Sequence, residues 1–112
     1  MVSPILTTGH LADIGIDPRD VTDSQLVHVV GVSASNVVRD LRENIANLLG
    51  GKMRHYEALL QKTHDDARAR LVDRLQSDGW DGAYGVRYSH PNVVQGGCEV
   101  VIYATAFKLR PP

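Results

Sequence analysis

Two segments of this 112-residue chain are apolar on both of their faces, and so short a chain has few elements with which to cover them. Residues 26–32 read Leu-Val-His-Val-Val-Gly-Val. In the last segment, residues 97–109, Cys98, Val100, Ile102, Ala104 and Ala106 alternate with Val101, Tyr103, Thr105 and Phe107. A run with a period of two and no polar face is the pattern of a strand covered on both sides. Helices packed on a small sheet bury one face. The second face then calls for another surface, because monomers seldom leave a large contiguous apolar patch in water. A second copy of the chain, in a closed symmetric ring or dimer, is the economical answer.

The remaining elements follow from local signals. Residues 3–8 suit a short edge strand with Pro4 at its start. Residues 9–25 read as a polar, acidic loop, with Asp13, Asp17, Asp20 and Asp23 and a turn at Asp17-Pro18-Arg19-Asp20. Ser33, Ser35 and Asn36 offer N-cap oxygens to a first helix over 33–49, ended by Gly50-Gly51. A second helix over 52–77 carries Met53, Tyr56, Leu60, Ala67, Leu71 and Leu75 on one stripe, and Asp78-Gly79 closes it. Residues 82–89 and 97–109 form a hairpin. Its expected register sets His90 against Cys98, Tyr84 against Ala104 and Tyr103 against Gly85, with Arg87 near Glu99. The expected fold is α+β: a small antiparallel sheet packed on two helices, in the order β-β-α-α-β-β. One domain spans 1–112, with 9–25 as loop and 26–109 as core.

Charge and cysteine content narrow the function classes. Twelve Lys and Arg stand against thirteen Asp and Glu, a net charge of -1. That balance gives no reason to expect nucleic acid or an anionic membrane as a partner. Cys98 is a single cysteine and cannot form an internal disulfide. The first residues lack a basic stretch leading into an apolar run, so no secretory signal is expected and the cytoplasm is the expected location.

No metal or catalytic motif is present as a compact signature. The five histidines, His10, His28, His55, His64 and His90, are scattered, and CxxC, HxxxH and HExxH are missing. His90 and Cys98 are the best candidate metal pair, since the expected register joins them across the hairpin. Two ligands per chain do not close a zinc site, but symmetry can multiply them. His64, on the rim of the helical stripe, reads as a packed or interface histidine. Cys98 with His90 has the residue types of a thiol nucleophile and base. Yet no helix N-terminus or cationic cluster precedes the cysteine, so no catalytic residue is assigned and a non-enzymatic protein is expected. Tyr88, His90 and Cys98 are the candidate ligand-binding residues, with Trp80 and Tyr84 as further aromatics at the margin of the sheet.

Residues 31–109 resemble the YbjQ-like family, also called the putative heavy-metal-binding family. The segments that carry the resemblance are Asn36-Val37-Val38-Arg39-Asp40-Leu41, Leu49-Gly50-Gly51-Lys52, Asp78-Gly79-Trp80-Asp81-Gly82-Ala83, Val86-Arg87-Tyr88, Val94-Gln95-Gly96-Gly97-Cys98-Glu99-Val100 and Tyr103-Ala104-Thr105-Ala106. Ile5-Leu6-Thr7-Thr8 fits the family's opening strand. The chain departs from the family's pattern at His28, Trp80, Gly82, Cys98 and Ala104, and its 9–25 loop is longer. The resemblance implies a dodecin-like subunit of a symmetric ring, commonly a homopentamer, of unestablished biochemical role. The expected function is then a homo-oligomer that holds a metal ion or small ligand between subunits. The alternative is an interaction module whose ring docks a partner protein through loop 9–25.

Overall fold

The computed structural model describes residues 3–32, 51–90 and 99–112. The expected helix over 33–49, its N-cap residues, Gly50 of its expected end, the hairpin loop and Cys98 lie outside the described residues, while Gly51 is described as the first residue of the following helix. Strand β1 is Ile5–Leu6, β2 is Val21–Val32, helix α1 is Gly51–Ser77, β3 is Gly82–Ser89 and β4 is Glu99–Leu109. The strands form one sheet in the order β1-β3-β4-β2. The class is α+β, as expected, but the sheet is mixed rather than antiparallel. β1 runs parallel to β3, with Ile5 opposite Gly82 and Leu6 opposite Ala83. The Ile5 N–H donates to the Asp81 carbonyl at 3.1 Å, and the Thr7 N–H to that of Ala83 at 3.1 Å. The parallel arrangement is possible because the chain after β1 crosses to the far edge before β2 begins.

Loop 9–25 is also shorter than expected. Leu11–Ile14 and Pro18–Asp20 are single 3-10 turns, and residues 21–25 already belong to β2. Ser24 pairs with Phe107 and Gln25 with Ala106. These polar residues carry no apolar alternation, so only their main-chain pairing reveals the strand. Asp17 caps the second turn: its carboxylate accepts from the Arg19 N–H at 2.9 Å and the Arg19 Nη2 at 2.8 Å. The Arg19 side chain, then its backbone N–H, hold the Asp17 carboxyl below its usual pKa.

β2 and β4 form the long antiparallel ladder, from Val21 opposite Leu109 to Val32 opposite Glu99. Helix α1 lies across one face. Leu71, Leu75 and Ala67, one turn apart, are fully buried, and Thr63 continues the row. They meet Val27 of β2, Ala83 and Val86 of β3, and Val100, Ile102, Ala104 and Ala106 of β4. The helix ends as expected at Asp78-Gly79. The Trp80 N–H donates back to the Leu75 carbonyl at 2.9 Å and the Gly79 N–H to that of Gln76 at 3.2 Å, the paired bonds of a Schellman cap. On its β2 side, Arg70 Nη1 donates to the Val30 carbonyl at 2.9 Å and Arg74 Nη1 to the His28 carbonyl at 2.6 Å. Among the described residues β2 is an edge strand, so these arginines satisfy main-chain acceptors that no described strand meets.

The hairpin register differs from the expected one. Tyr84 pairs with Thr105, and after an irregularity Arg87 pairs with Tyr103, Tyr88 with Ile102 and Ser89 with Val101. Arg87 is therefore opposite Tyr103 and not near Glu99. The cause is a β-bulge at Gly85 and Val86, with Gly85 in the left-handed region at φ 62°. Both bulge N–H groups are used: Gly85 donates to the Gly9 carbonyl at 2.9 Å and Val86 to that of Thr7 at 3.1 Å.

At Gly31 the helix comes so close that a Cβ would sit 2.8 Å from Ala67 Cβ and 3.0 Å from the Thr63 carbonyl oxygen. Gly31→Ala is expected to force α1 away from β2 and to lower unfolding free energy by about 1–3 kcal/mol. Leu71→Ala, which empties a fully buried site, is expected to cost about 2–5 kcal/mol. Urea denaturation monitored by far-UV circular dichroism checks both.

Candidate functional site

The bulge decides which side chains reach the helix. Alternation through β3 puts Ala83 on the α1 face and Tyr84 on the other. With no extra residue, Tyr88 and His90 would fall with Tyr84. The bulge inserts one position, so Val86 returns to the core and Tyr88, opposite Ile102, turns towards α1. Tyr84 stays on the outer face, where its ring lies 6.1 Å from that of Phe107. The aromatics expected together at the sheet margin are thus divided between two faces.

Facing Tyr88 and His90 across the gap is His64, three residues before Ala67 on α1. The His64 ring stacks on Tyr88 with centroids 5.3 Å apart and an interplanar angle of 25°. The His90 ring lies 4.9 Å from that of His64, tilted by 44°. The two Nε2 atoms are 2.9 Å apart. Leu60, Gln61, His64, Asp65, Arg68 and Tyr88 line an open groove of about 410 Å³ here. Gln61 Nε2 donates to Asp65 Oδ1 at 3.0 Å, which fixes that carboxylate on the helix surface.

Of the expected site residues, Tyr88 and His90 come together, and Cys98 lies outside the described residues. His28 stands on the outer face opposite Tyr103, away from the groove. His64 is the partner that sequence reasoning placed only as a packed or interface histidine. The signal that could have found it is Gly85: a glycine inside a strand pattern marks a bulge, and a bulge at that point turns His90 towards the helix. Among the described residues, no three His, Cys, Asp or Glu side chains are grouped to hold a metal ion. No helix among the described residues is long and apolar enough to cross a membrane.

An imidazole Nε2 facing another at hydrogen-bond distance requires one to donate and the other to accept. In the neutral pair the rings therefore hold opposite tautomers, Nε2–H on one and Nδ1–H on the other. Long-range proton–nitrogen correlation spectra are expected to show this asymmetry between His64 and His90. Two identical Nε2–H tautomers would exclude the bond.

Comparison with known proteins fits this architecture to a family. The family model described as "Putative heavy-metal-binding" matches residues 7–110. A UPF0145 protein of Halobacterium salinarum is 38% identical over 92 residues, covering 81% of this chain and 88% of the relative. A UPF0145 protein of Halorubrum lacusprofundi is 34% identical over 79 residues, covering 70% and 76%. One from Thermus thermophilus is 32% identical over 93 residues, covering 78% and 82%. Their names carry no activity. A match over nearly the whole chain, supported by relatives that share its length, makes this protein a member of the YbjQ family, described as putative heavy-metal-binding.

Proposed function

We propose that this protein is a non-enzymatic homo-oligomer of the cytoplasm that covers the outer face of its sheet with copies of itself and holds a metal ion or small ligand at the assembled site. The observation that carries the reading is the outer face. Ile5, Leu26, Val30 and Tyr103 are 43%, 67%, 39% and 42% exposed, and the strand registers place all four on the side away from α1. Val101 and Thr105 lie between them on the same side. Covering a fully exposed large apolar side chain contributes about 1.5–3 kcal/mol, and covering the exposed parts of Leu26, Val30 and Tyr103, neighbours on the adjacent strands β2 and β4, favours association. A symmetric ring, a homopentamer or a related closed form, satisfies every copy alike.

Tyr88 and His90 are the ligand-binding residues of this reading, with Cys98 as a third donor, and His90 and Cys98 are its metal ligands. The non-enzymatic part rests on the sequence, which offers Cys98 no helix N-terminus or cationic cluster to activate it.

Native mass spectrometry of the purified protein is expected to show one closed oligomer. Tyr103→Asp and Leu26→Asp, both at exposed positions, are expected to shift it to monomer with an unchanged far-UV spectrum. A wild-type chain that stays monomeric at micromolar concentration would overturn the assembly reading.

A further inference from the structure

The paired Nε2 atoms of His64 and His90 stand at a distance that suits a hydrogen bond and also suits shared coordination of one ion. Their separation, 2.9 Å, is the spacing of two nitrogens at about a right angle on an ion bound at about 2.0–2.1 Å, the angle of a tetragonal copper(II) or nickel(II) site and narrower than that of tetrahedral zinc(II). The two rings come from different elements, the middle of α1 and the end of β3, and neither is buried. His64 is half-buried and His90 exposed, so neither ring is shut off from solvent. Stacking on Tyr88 limits rotation of the His64 ring. Holding one ligand in place lowers the ordering cost of binding.

We propose that His64 and His90 form a two-imidazole site for a divalent late first-row transition-metal ion, each donating through Nε2. This rests on the metal-binding part of the reading above and deepens it, by moving the primary ligand pair from His90 with Cys98 to His90 with His64. Imidazole nitrogen suits copper(II), nickel(II) and zinc(II), and it does not suit the oxygen-seeking calcium and magnesium ions. For such a site the affinity order is copper(II) above nickel(II) and zinc(II). Two ligands leave coordination positions open to water or to donors of a second copy. Among the described residues no third His, Cys, Asp or Glu joins the pair. Asp65 and Arg68 line the same groove with opposite charges, so the groove has no strong net field, and selectivity lies with the nitrogens.

Binding also has a proton signature. In the free pair one ring carries its proton on Nε2. To coordinate through that atom, the proton moves to Nδ1, so both rings end with Nδ1–H. No net proton is released from the neutral pair.

The test is titration of the full-length protein with copper(II), nickel(II), zinc(II) and magnesium(II) salts, followed by calorimetry and by nitrogen-sensitive NMR or, for copper(II), paramagnetic resonance. The proposal expects copper(II) to bind with nitrogen hyperfine splitting from two imidazoles. It expects zinc(II) to convert both rings to the Nδ1–H form, and magnesium(II) to have no effect. His64→Ala and His90→Ala each lower copper(II) affinity at least tenfold, whereas Cys98→Ser lowers it less. His90 is exposed, so its variant tests the site without disturbing the core. Binding unchanged in both histidine variants, or no binding of any of the three late metals, overturns the proposal. Native mass spectrometry of the same samples separates the two readings. An intact ring with no metal sinks the site alone, and a metal-loaded monomer sinks the assembly alone.

Discussion

Helix α1 can lie against β2 only because Gly31 has no side chain. With Ala67 packed into that space and Thr63 one turn earlier, the helix settles close enough for Leu71 and Leu75 to fill the sheet face between β2 and β3. The position of His64 follows from this contact. It lies between Thr63 and Ala67 in the chain, so whatever sets the height of those two residues over the sheet sets the height of the imidazole as well. A rigid helix transmits the constraint over a turn without loss, since close-packed interiors deform little.

The second constraint acts on the facing strand. A single extra residue at Gly85 and Val86 exchanges the faces of everything that follows it in β3. Tyr84 is left outside and Tyr88 and His90 go inside. The histidine pair is thus the meeting of two independent backbone decisions, a missing Cβ in β2 and an added residue in β3. Neither decision involves a polar or titratable group. The chemistry of the site is positioned by two glycines that carry none of it, Gly31 far off in sequence and Gly85 three residues before Tyr88.

Much of this architecture is legible in the residues alone. Alternation in 26–32 and 98–107 marks the central strands, helical spacing at Ala67, Leu71 and Leu75 marks the buried stripe, and Asp78-Gly79 marks the helix end. Three features escape such a reading for physical reasons. The parallel pairing of β1 depends on where the chain crosses, which no local pattern encodes. Residues 21–25 pair through their main chain while Thr22, Asp23, Ser24 and Gln25 show water only polar side chains. The bulge shifts register by one residue, and a period of two turns one residue into a full exchange of faces. His90 was visible as a candidate, but its partner was not, because the partner depends on that shift.

The arginines of α1 that cap the β2 edge have a consequence for what the sheet can add. Val30 and His28 carbonyls held by Arg70 and Arg74 are closed to the N–H groups of an incoming strand. A strand that extended the sheet past β2 would first have to displace both guanidinium groups, so growth through this edge carries a cost that association through the outer face does not.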